Sequence, residues 1–337
     1  MTPPGRMANP QPIIDLANAF FDSCVLFVAS DLGIFKRLAE QDGLDAAALA
    51  RDLDCSLRGL QLLLDACVAE GLLTKHGSSY SNAPATRVFL VPGSPADLST
   101  AIRYNRDIYG AWGKLADLAK TGKPVERPQI HLGEDERRTR TFVLSMHGRA
   151  LGIGRSVVPL LDLANRETLL DVGGGPGTYS VLISQAFPQI RCTVLDLTEV
   201  VKVAAELIEQ QGAAERVQVL AGDYHATPFP TGLDAINFFG MLHQESAEDI
   251  RKLARKGFAA LKPGGVVHVM DMMTDETHTA PKFSALFALT MAMTTENGWV
   301  FSADELKAWL EEAGFVDFEV RPLPPPLPHW LAKARKP

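Results

Sequence analysis

Thr168-Leu169-Leu170-Asp171-Val172-Gly173-Gly174-Gly175-Pro176-Gly177-Thr178-Tyr179-Ser180 is the stretch on which the reading of this chain turns. Thr168 to Val172 reads as a short apolar strand that runs into the turn Gly173 to Gly177. Polar residues then open an apolar helix through Val181, Leu182, Ile183 and Phe187. Glycine is needed where a strand turns sharply and where backbone must approach a ligand more closely than Cβ permits. A turn of this kind after a first parallel strand marks the ligand crevice of an α/β sheet. The dinucleotide fingerprint is the competing reading, but Gly-x-Gly-x-x-Gly counted from Gly173 requires glycine where the chain has Thr178.

Acids follow the turn in order. Asp171 lies just before it, Asp196 ends the next strand (body Cys192 to Leu195), and Asp223 follows the apolar run Val217 to Leu220. A helix N-terminus after a glycine turn ordinarily cradles phosphate. Carboxylates at three successive strand ends suit ribose hydroxyls and a cationic ligand end instead. The ordered set describes a pocket for a nucleoside bearing an ammonium or sulfonium group, namely S-adenosylmethionine.

Leu170-Asp171-Val172-Gly173-Gly174-Gly175-Pro176-Gly177, Leu195-Asp196-Leu197, Gly222-Asp223-Tyr224 and Leu242-His243 together resemble the motif series of S-adenosylmethionine-dependent O-methyltransferases. The branch is the plant-type, hydroxyindole (acetylserotonin) family with its bacterial relatives, and the resemblance runs from about residue 15 to the end. It implies an α/β fold, a Rossmann-like class I methyltransferase sheet preceded by a mainly helical, winged-helix dimerisation domain. The expected boundaries are 1–100 for dimerisation, 101–163 for a helical connector contributing to the acceptor pocket, and 164–337 for the catalytic domain. The implied cofactor contacts are Asp171, Gly173, Gly175, Asp196, Leu197, Asp223 and Tyr224, with S-adenosylhomocysteine as product and His243 as general base. A small-molecule acceptor and a second copy of the chain are the implied partners, and secondary metabolism the implied setting.

Composition excludes several classes. The 337 residues give room for two domains, and 46% hydrophobic with 22% charged residues is ordinary for a soluble protein. A net charge of −7 offers no general attraction to nucleic acid or an anionic membrane. No apolar run is read as approaching the roughly 20 residues of a membrane span. The tail Met1 to Pro10 has no signal-peptide core, and Cys24, Cys55, Cys67 and Cys192 lack paired spacing. The cytoplasm is the expected location.

In the N-terminal part, Ile13 to Leu38 recur at helical spacing. Leu44 to Ala50 reads as a short helix, Asp54-Cys55-Ser56 as a capped turn, Leu57 to Leu73 as a second helix, and Gly77-Ser78-Ser79 as the centre of a hairpin. Helix, turn, helix and wing is also a DNA-binding pattern. Ser56 to Glu70, however, offers only Arg58 against Asp65 and Glu70, with Leu60, Leu62, Leu63, Leu64 and Val68 between. A reading helix needs Lys or Arg for phosphates and polar side chains for bases. A dimer interface is the better reading, and a ligand-responsive regulator the alternative from another class. An amphipathic helix is expected over Ile102 to Leu118, and a helical connector over 137–163.

From residue 165 the alternation of strands and helices predicts a parallel sheet, with strands near 168–172, 191–196, 217–221, 233–239 and 265–271. Two more, near 315–321 and 329–334, are implied by the resemblance to form an antiparallel hairpin. Lys262-Pro263-Gly264-Gly265 is expected as the loop before the fifth strand.

His243 follows the fourth strand at its carboxyl end, on the ligand face. It reads either as a base for an acceptor hydroxyl or as a cap for the helix announced by Ser246-Ala247-Glu248-Asp249. Plant members carry His-Asp-Trp where this chain has His243-Gln244-Glu245. The carboxylate that orients the histidine falls on Asp271, and the later glutamate of the plant pattern falls near Val300 and is missing. Relatives that bind metal use His-Asp and a later His; Gln244 is a poor ligand and no histidine lies between His278 and His329, so no metal is expected. His76, His131, His147, His225 and His268 are scattered, His268 reading as packed in a strand. The resemblance places Phe142 and Met146 in the acceptor pocket; four apart, they also read as a pair packing on one helix face. Phe283, Leu286, Phe287, Leu289, Met291 and Met293 form a helix apolar nearly all round, from which Phe287 and Met291 are the expected acceptor contacts, and Trp299 is expected to close the pocket. Transfer to carbon or nitrogen, loss of transfer on the same fold, and a nicotinamide oxidoreductase are the remaining alternatives.

Overall fold

The structure, a computed structural model, describes residues 9–94, 96–127 and 133–337. His131 and the first eight residues of the N-terminal tail lie outside that set. The chain divides into two compact units, Met1–Arg106 and Asp107–Pro337.

The first unit contains α1 (Gln11–Asn18), α2 (Phe20–Asp31), α3 (Ile34–Glu40), β1 (Leu44–Asp45), α4 (Ala46–Asp52), α5 (Leu57–Ala69), β2 (Leu73–His76), β3 (Ser79–Asn82), α6 (Pro84–Phe89) and α7 (Ser99–Asp107). The three short strands pair antiparallel in the order β1-β3-β2. Helix, turn, helix and wing are therefore all present, with local differences. Leu44 and Asp45 form a strand, because the Asp45 carboxylate caps α4 by accepting from the Ala48 amide. The second helix stops at Ala69, where Gly71 turns with positive φ and Leu73 opens the hairpin. Ile34, Phe35, Leu38, Leu49, Leu64 and Tyr80 form the core. α5 buries only one face: Leu60, Leu64 and Cys67 are inside, while Leu57 and Leu62 are 48% and 60% exposed.

α1 and α2 together make a 21-residue helical stretch, Gln11–Asp31, with a mean hydropathy of 1.6. By length and composition alone it is long and apolar enough to cross a membrane, which differs from the expectation. Asp15, Asn18 and Asp22 interrupt every run of apolar residues, so the sequence shows no uninterrupted span. Its apolar side chains are largely uncovered, with Ile13 73%, Leu16 69% and Phe21 53% exposed.

The second unit begins with α8 (Tyr109–Trp112) and α9 (Leu115–Thr121), then α10 (Glu136–Val157). The single helix expected over 102–118 is thus three pieces, broken at Ile108 and at Gly113-Lys114. The sheet segments follow: β4 (Thr168–Val172), α11 (Thr178–Ala186), β5 (Arg191–Asp196), α12 (Thr198–Gln210), β6 (Val217–Ala221), β7 (Leu233–Phe239), α13 (Ala247–Ala260), β8 (Leu261–Asp271), α14 (Lys282–Thr294), α15 (Ala303–Glu312), β9 (Val316–Pro322) and β10 (Trp330–Arg335). Their order is β6-β5-β4-β7-β8-β10-β9, the first five parallel and the last two antiparallel. Lys262-Pro263-Gly264-Gly265 lies inside β8, where the register slips between Leu233 and Ala235 of the partner strand.

β4 sits at the centre, and its near-continuous apolar run suits a strand covered on both sides. Leu170 and Val172 pack with Phe238, Val267 and Trp309, while Leu169 packs on the other face with Val181, Val194 and Ala235. The chain leaves β4 for β5 and β6, then crosses back to β7 on the other side. That reversal opens a crevice between the carboxyl ends of β4 and β7.

Asp234 pins the opposite end of the sheet. Its carboxylate accepts from the amides of Glu167 and Thr168, the Thr168 hydroxyl and the Lys262 ammonium. Burial opposes the charge, yet Lys262 and the donors on Glu167 and Thr168 hold this carboxyl down at about 2. A depressed native value gives stability that is complete above the unfolded value of about 4 and disappears as pH falls through the native one. Asp234→Asn is expected to be less stable than the parent at pH 7 by about 1–3 kcal/mol in urea unfolding, the gap closing below about pH 4. A gap that does not change with pH would contradict the assignment.

Candidate active site

Three positive-φ glycines shape the turn after β4: Gly173 (φ 63°), Gly175 (φ 52°) and Gly177 (φ 69°). The Gly173 amide donates to the Leu195 carbonyl, locking the turn to β5. A Cβ on Gly174 would lie 2.8 Å from Cγ of Asp171 and 2.9 Å from Cγ1 of Val194. A Cβ on Gly173 would crowd Met241 at 3.2 Å, whereas nothing lies within 4 Å of one on Gly175, which faces open space.

Beneath this turn Asp171 has no exposed surface. Its Oδ2 accepts from the Ser180 hydroxyl at 2.7 Å, and its Oδ1 is buried without a partner among the described residues. Burial raises its carboxyl to about 7, with Asp196 adding to the effect. Asp196, half-buried at the end of β5, reaches the turn from the side: Oδ2 accepts from the Gly175 amide at 2.8 Å and Oδ1 from the Leu197 amide at 2.7 Å. Desolvation raises it to about 6 against those two donors. Leu197 lies in a patch with Phe142, Val143, Val200, Val203 and Leu207, so Phe142 is packed where α10 meets α12. Met146, one turn on, is half-buried.

Asp223 is exposed at the end of β6, its Oδ1 accepting from the His225 amide at 2.8 Å. Tyr224 turns inward instead. Its hydroxyl donates to Glu245 Oε1 at 2.6 Å, while His225 Nε2 lies 3.0 Å from Glu245 Oε2. Burial, reinforced by Glu245, lifts the Tyr224 hydroxyl well above the ordinary phenol range. The buried Glu245 thus ties the loop after β6 to the loop after β7, a contact between residues 21 apart that local pattern does not reveal.

His243 sits in a tight turn, Leu242–Gln244, entered through the positive-φ Gly240. Its Nδ1 lies 2.6 Å from Asp271 Oδ1, and its amide donates to Asp271 Oδ2 at 3.2 Å. Asp271, the last residue of β8, is wholly buried and also accepts from the Met272 amide at 2.8 Å. Adjacent parallel strands bring together two residues 28 apart in sequence. With Nδ1–H donated to the carboxylate, the lone pair of the ring stands on Nε2, which takes no partner among the described residues. His243 caps no helix, since the Ser246 hydroxyl accepts from the Asp249 amide at the start of α13. The Phe287 ring meets the imidazole edge-on at 5.1 Å. The position expected to lack a second carboxylate, Val300, is buried with Met272, Phe287 and Met291, so an apolar wall stands there.

The remaining candidates separate. Phe287 and Met291 share this wall, whereas Leu289 and Met293 pack away from it against Ala111, Trp112 and Leu118. Phe283 and Leu286 are 48% and 44% exposed. Trp299 braces the His243 turn rather than standing free: its amide donates to the His243 carbonyl and its indole N–H to the Glu245 carbonyl. His268 is packed between strands, bonded to Asn237 and to the Asp162 amide. Sequence reasoning passed over His147, whose Nδ1 lies 2.7 Å from Thr178 Oγ1 at the start of α11, and His329, buried beside Asp271. Only the i, i+31 pairing of a tertiary contact could have flagged His147. No group of three or more His, Cys, Asp or Glu side chains suited to a metal occurs among the described residues.

Comparison with known proteins agrees with this architecture. Residues 126–316 match the model of an O-methyltransferase domain, and residues 14–92 that of an O-methyltransferase dimerisation domain. Acetylserotonin O-methyltransferase of Macaca mulatta is 32% identical over 324 residues, covering 91% of this chain and 92% of the relative. The 3-hydroxy-5-methyl-1-naphthoate 3-O-methyltransferase of Streptomyces sahachiroi is 30% identical over 320 residues, covering 93% and 91%. Human N-acetylserotonin methyltransferase, solved in complex with S-adenosylmethionine, superposes with a TM-score of 0.87 at 29% identity, covering 99% of each chain.

Asp171 and Asp196 should leave a mark on stability. A carboxyl raised in the native state keeps its proton to higher pH than in the unfolded chain, so stability falls as pH rises from about 4 through the native value of about 7 for Asp171. Asp171→Asn is expected to flatten that fall in melting temperature between pH 5 and pH 8 in ligand-free protein. An unchanged slope would show that the Asp171 carboxyl is not raised.

Proposed function

The chain belongs to the S-adenosylmethionine-dependent O-methyltransferase family, and from that premise we propose that it methylates a hydroxyl of a small, flat aromatic molecule, with His243 as base and Asp271 as its orienting carboxylate. The observation that carries this reading is the buried 2.6 Å contact between His243 Nδ1 and Asp271, which leaves Nε2 as the available nitrogen.

The crevice suits the cofactor. Gly175 leaves open space, Asp196 stands at the turn, and Asp223 is exposed at the next strand end. Carboxylates there match sugar hydroxyls and a positively charged group better than a pyrophosphate. S-adenosylmethionine supplies a methyl group already activated on a sulfonium. Asp196 and Asp223 would hold the nucleoside, Gly173 and Gly175 would admit it, and Leu197 and Tyr224 would flank it. Asp171, enclosed beneath the turn and bonded to the Ser180 hydroxyl, would support its shape from below.

The chain's own chemistry is proton removal and orientation. A phenol with pKa about 10 is ionised at roughly one part in a thousand at pH 7. Nε2 of His243 takes the hydroxyl proton as oxygen becomes a nucleophile, and Asp271 then faces a protonated ring through the same Nδ1–H bond. Asp271 also holds the imidazole in one tautomer and one direction, as carboxylates do in other histidine pairs. Phe287, Met272, Met291 and Val300 give an apolar wall for a flat ring, where adaptable thioethers accommodate varied outlines. Phe142, which packs with Leu197, and Met146 would bound the acceptor from α10 rather than share that wall, with Trp299 holding the His243 turn in place.

All but Ile13 of the uncovered apolar residues of α1 and α2, Leu16, Phe20 and Phe21 among them, fall inside the matched dimerisation domain. A second copy of the chain is their proposed cover, because exposed patches this apolar normally mark an interaction surface. Leu16→Glu combined with Phe20→Glu is expected to halve the mass seen by light scattering during size exclusion; an unchanged mass would reject this interface.

His243→Ala is expected to lower the methylation rate by about 10²–10⁴ while leaving calorimetric affinity for S-adenosylmethionine intact. Asp196→Ala is expected to abolish that binding. Equal turnover by His243→Ala and the parent would overturn the base assignment.

A further inference from the structure

The loops after β6 and β7 leave strands that are not neighbours. β5 and β4 stand between them in the sheet, so at about 4.8 Å per strand the two strand ends are about 14 Å apart. The glycine turn after β4 and Asp196 at the end of β5 occupy that interval, which is the crevice itself. A side-chain contact between the outer two loops therefore ties the two flanks of the crevice to each other.

One carboxylate makes that contact. Glu245 is 7% exposed. Its Oε1 accepts from the Tyr224 hydroxyl at 2.6 Å, and its Oε2 lies 3.0 Å from Nε2 of His225. Both partners belong to the loop that carries Asp223, and the Gly222 amide at the start of that loop donates to the Asp196 carbonyl at 2.9 Å. At its own end Glu245 stands two residues from His243, its amide donating to the Leu242 carbonyl. The amide and indole N–H of Trp299 then hold the carbonyls of His243 and Glu245. Lys256 on α13 anchors the Asp223 loop too, but only through the carbonyls of Tyr224 and His225. A buried carboxylate is costly without partners, so it enforces this meeting more strictly than an apolar contact would. The plant pattern has tryptophan where this chain has Glu245. An indole only donates and could not accept the Tyr224 hydroxyl, so the tie belongs to this chain.

We propose that Glu245 is a positioning residue for methyl transfer: acting through Tyr224 on one side and the His243 turn on the other, it sets the distance between the nucleoside-holding loop and the base. This rests on the reading of Asp223 and Tyr224 as cofactor contacts and of His243 as base. The two halves of the site are then not independent. A carboxylate enclosed between the loops governs both how firmly the cofactor loop is held and where the imidazole stands as the methyl leaves sulfur. Misplacing a catalytic group by about 1 Å can lower a rate by about 10²-fold, so slackening this tie is felt more in turnover than in binding.

The test uses the full chain and the variants Tyr224→Phe, Glu245→Leu, Glu245→Gln and the double variant Tyr224→Phe with Glu245→Leu. Glu245→Gln keeps an oxygen for the Tyr224 hydroxyl. Two quantities are read: the calorimetric Kd for S-adenosylmethionine, and the single-turnover rate of methyl transfer to 2-naphthol at saturating cofactor. Tyr224→Phe and Glu245→Leu are each expected to raise Kd by about 3- to 10-fold, as the loss of one such hydrogen bond allows, and to lower the rate by about 10- to 100-fold. Glu245→Gln should recover most of both. The double variant should be no worse than the worse single one, because both substitutions break one tie. A contact that serves stability alone would lower the melting temperature and leave Kd and rate at parent values, and that result overturns the proposal. Losses that simply multiply in the double variant overturn it as well. Should Glu245→Leu fail to fold, Tyr224→Phe, which keeps its ring, decides by the same two readings. A parent that binds cofactor but does not methylate 2-naphthol counts against a simple naphthol as acceptor and leaves the affinities to decide; a parent that binds no cofactor overturns the function and the proposal together.

Discussion

A carboxylate with no contact to water holds the catalytic end of this protein together. Asp271 ends β8, and its two oxygens accept from the His243 ring, the His243 amide and the Met272 amide. A buried carboxylate is costly unless its lone pairs are met, and here both neighbouring strand ends meet them. One residue thereby closes the turn after β7, sets the direction of the imidazole and fixes where β8 stops. The parallel pairing of Phe239 with Met270 makes this possible, because it brings both strand ends to the same height.

The rest of the crevice is arranged around that fixed point. The turn after β4 sits against Met241, at the foot of the His243 turn, so the glycine turn and the His243 turn share one wall. Trp299 and Glu245 hold the same turn from the outside, and Tyr224 links it to the strand end that carries Asp223. Where plant members are implied to have a second carboxylate, this chain has the buried Val300. The histidine is therefore oriented by one carboxylate and walled by hydrocarbon, an arrangement suited to a flat acceptor.

Much of this was legible in the residues, for definite reasons. The strands at 168–172, 191–196 and 233–239 could be placed because covered parallel strands are short apolar runs bounded by glycine or acid, and 217–221, largely exposed at the sheet edge, by its valines and leucine before Gly222-Asp223. The motif order then pointed to Gly173, Asp196, Asp223 and His243, which the fold brings to the carboxyl ends of β4, β5, β6 and β7. Helix interruptions were harder: nothing in the apolar spacing of 102–118 announces the breaks at Ile108 and Gly113. The helix 282–294 is apolar nearly all round, so periodicity could not tell Phe287, which meets His243, from Met293, which faces α8 and α9. Glu245 and His147 meet partners distant in sequence, and His329 is buried from a proline-rich segment with no pattern at all. Such residues become visible only when the sheet assembles them.

The central claim is that His243 works by removing the acceptor proton. Single-turnover rates of the parent and His243→Ala should be compared across naphthols whose hydroxyl acidity is graded by nitro substitution. If the imidazole serves as the base, the deficit of the variant shrinks steadily as the acceptor becomes more acidic, and nearly vanishes once the hydroxyl is ionised at the assay pH. A deficit of constant size across the series would mean that His243 shapes the site without taking the proton, and would contradict the account.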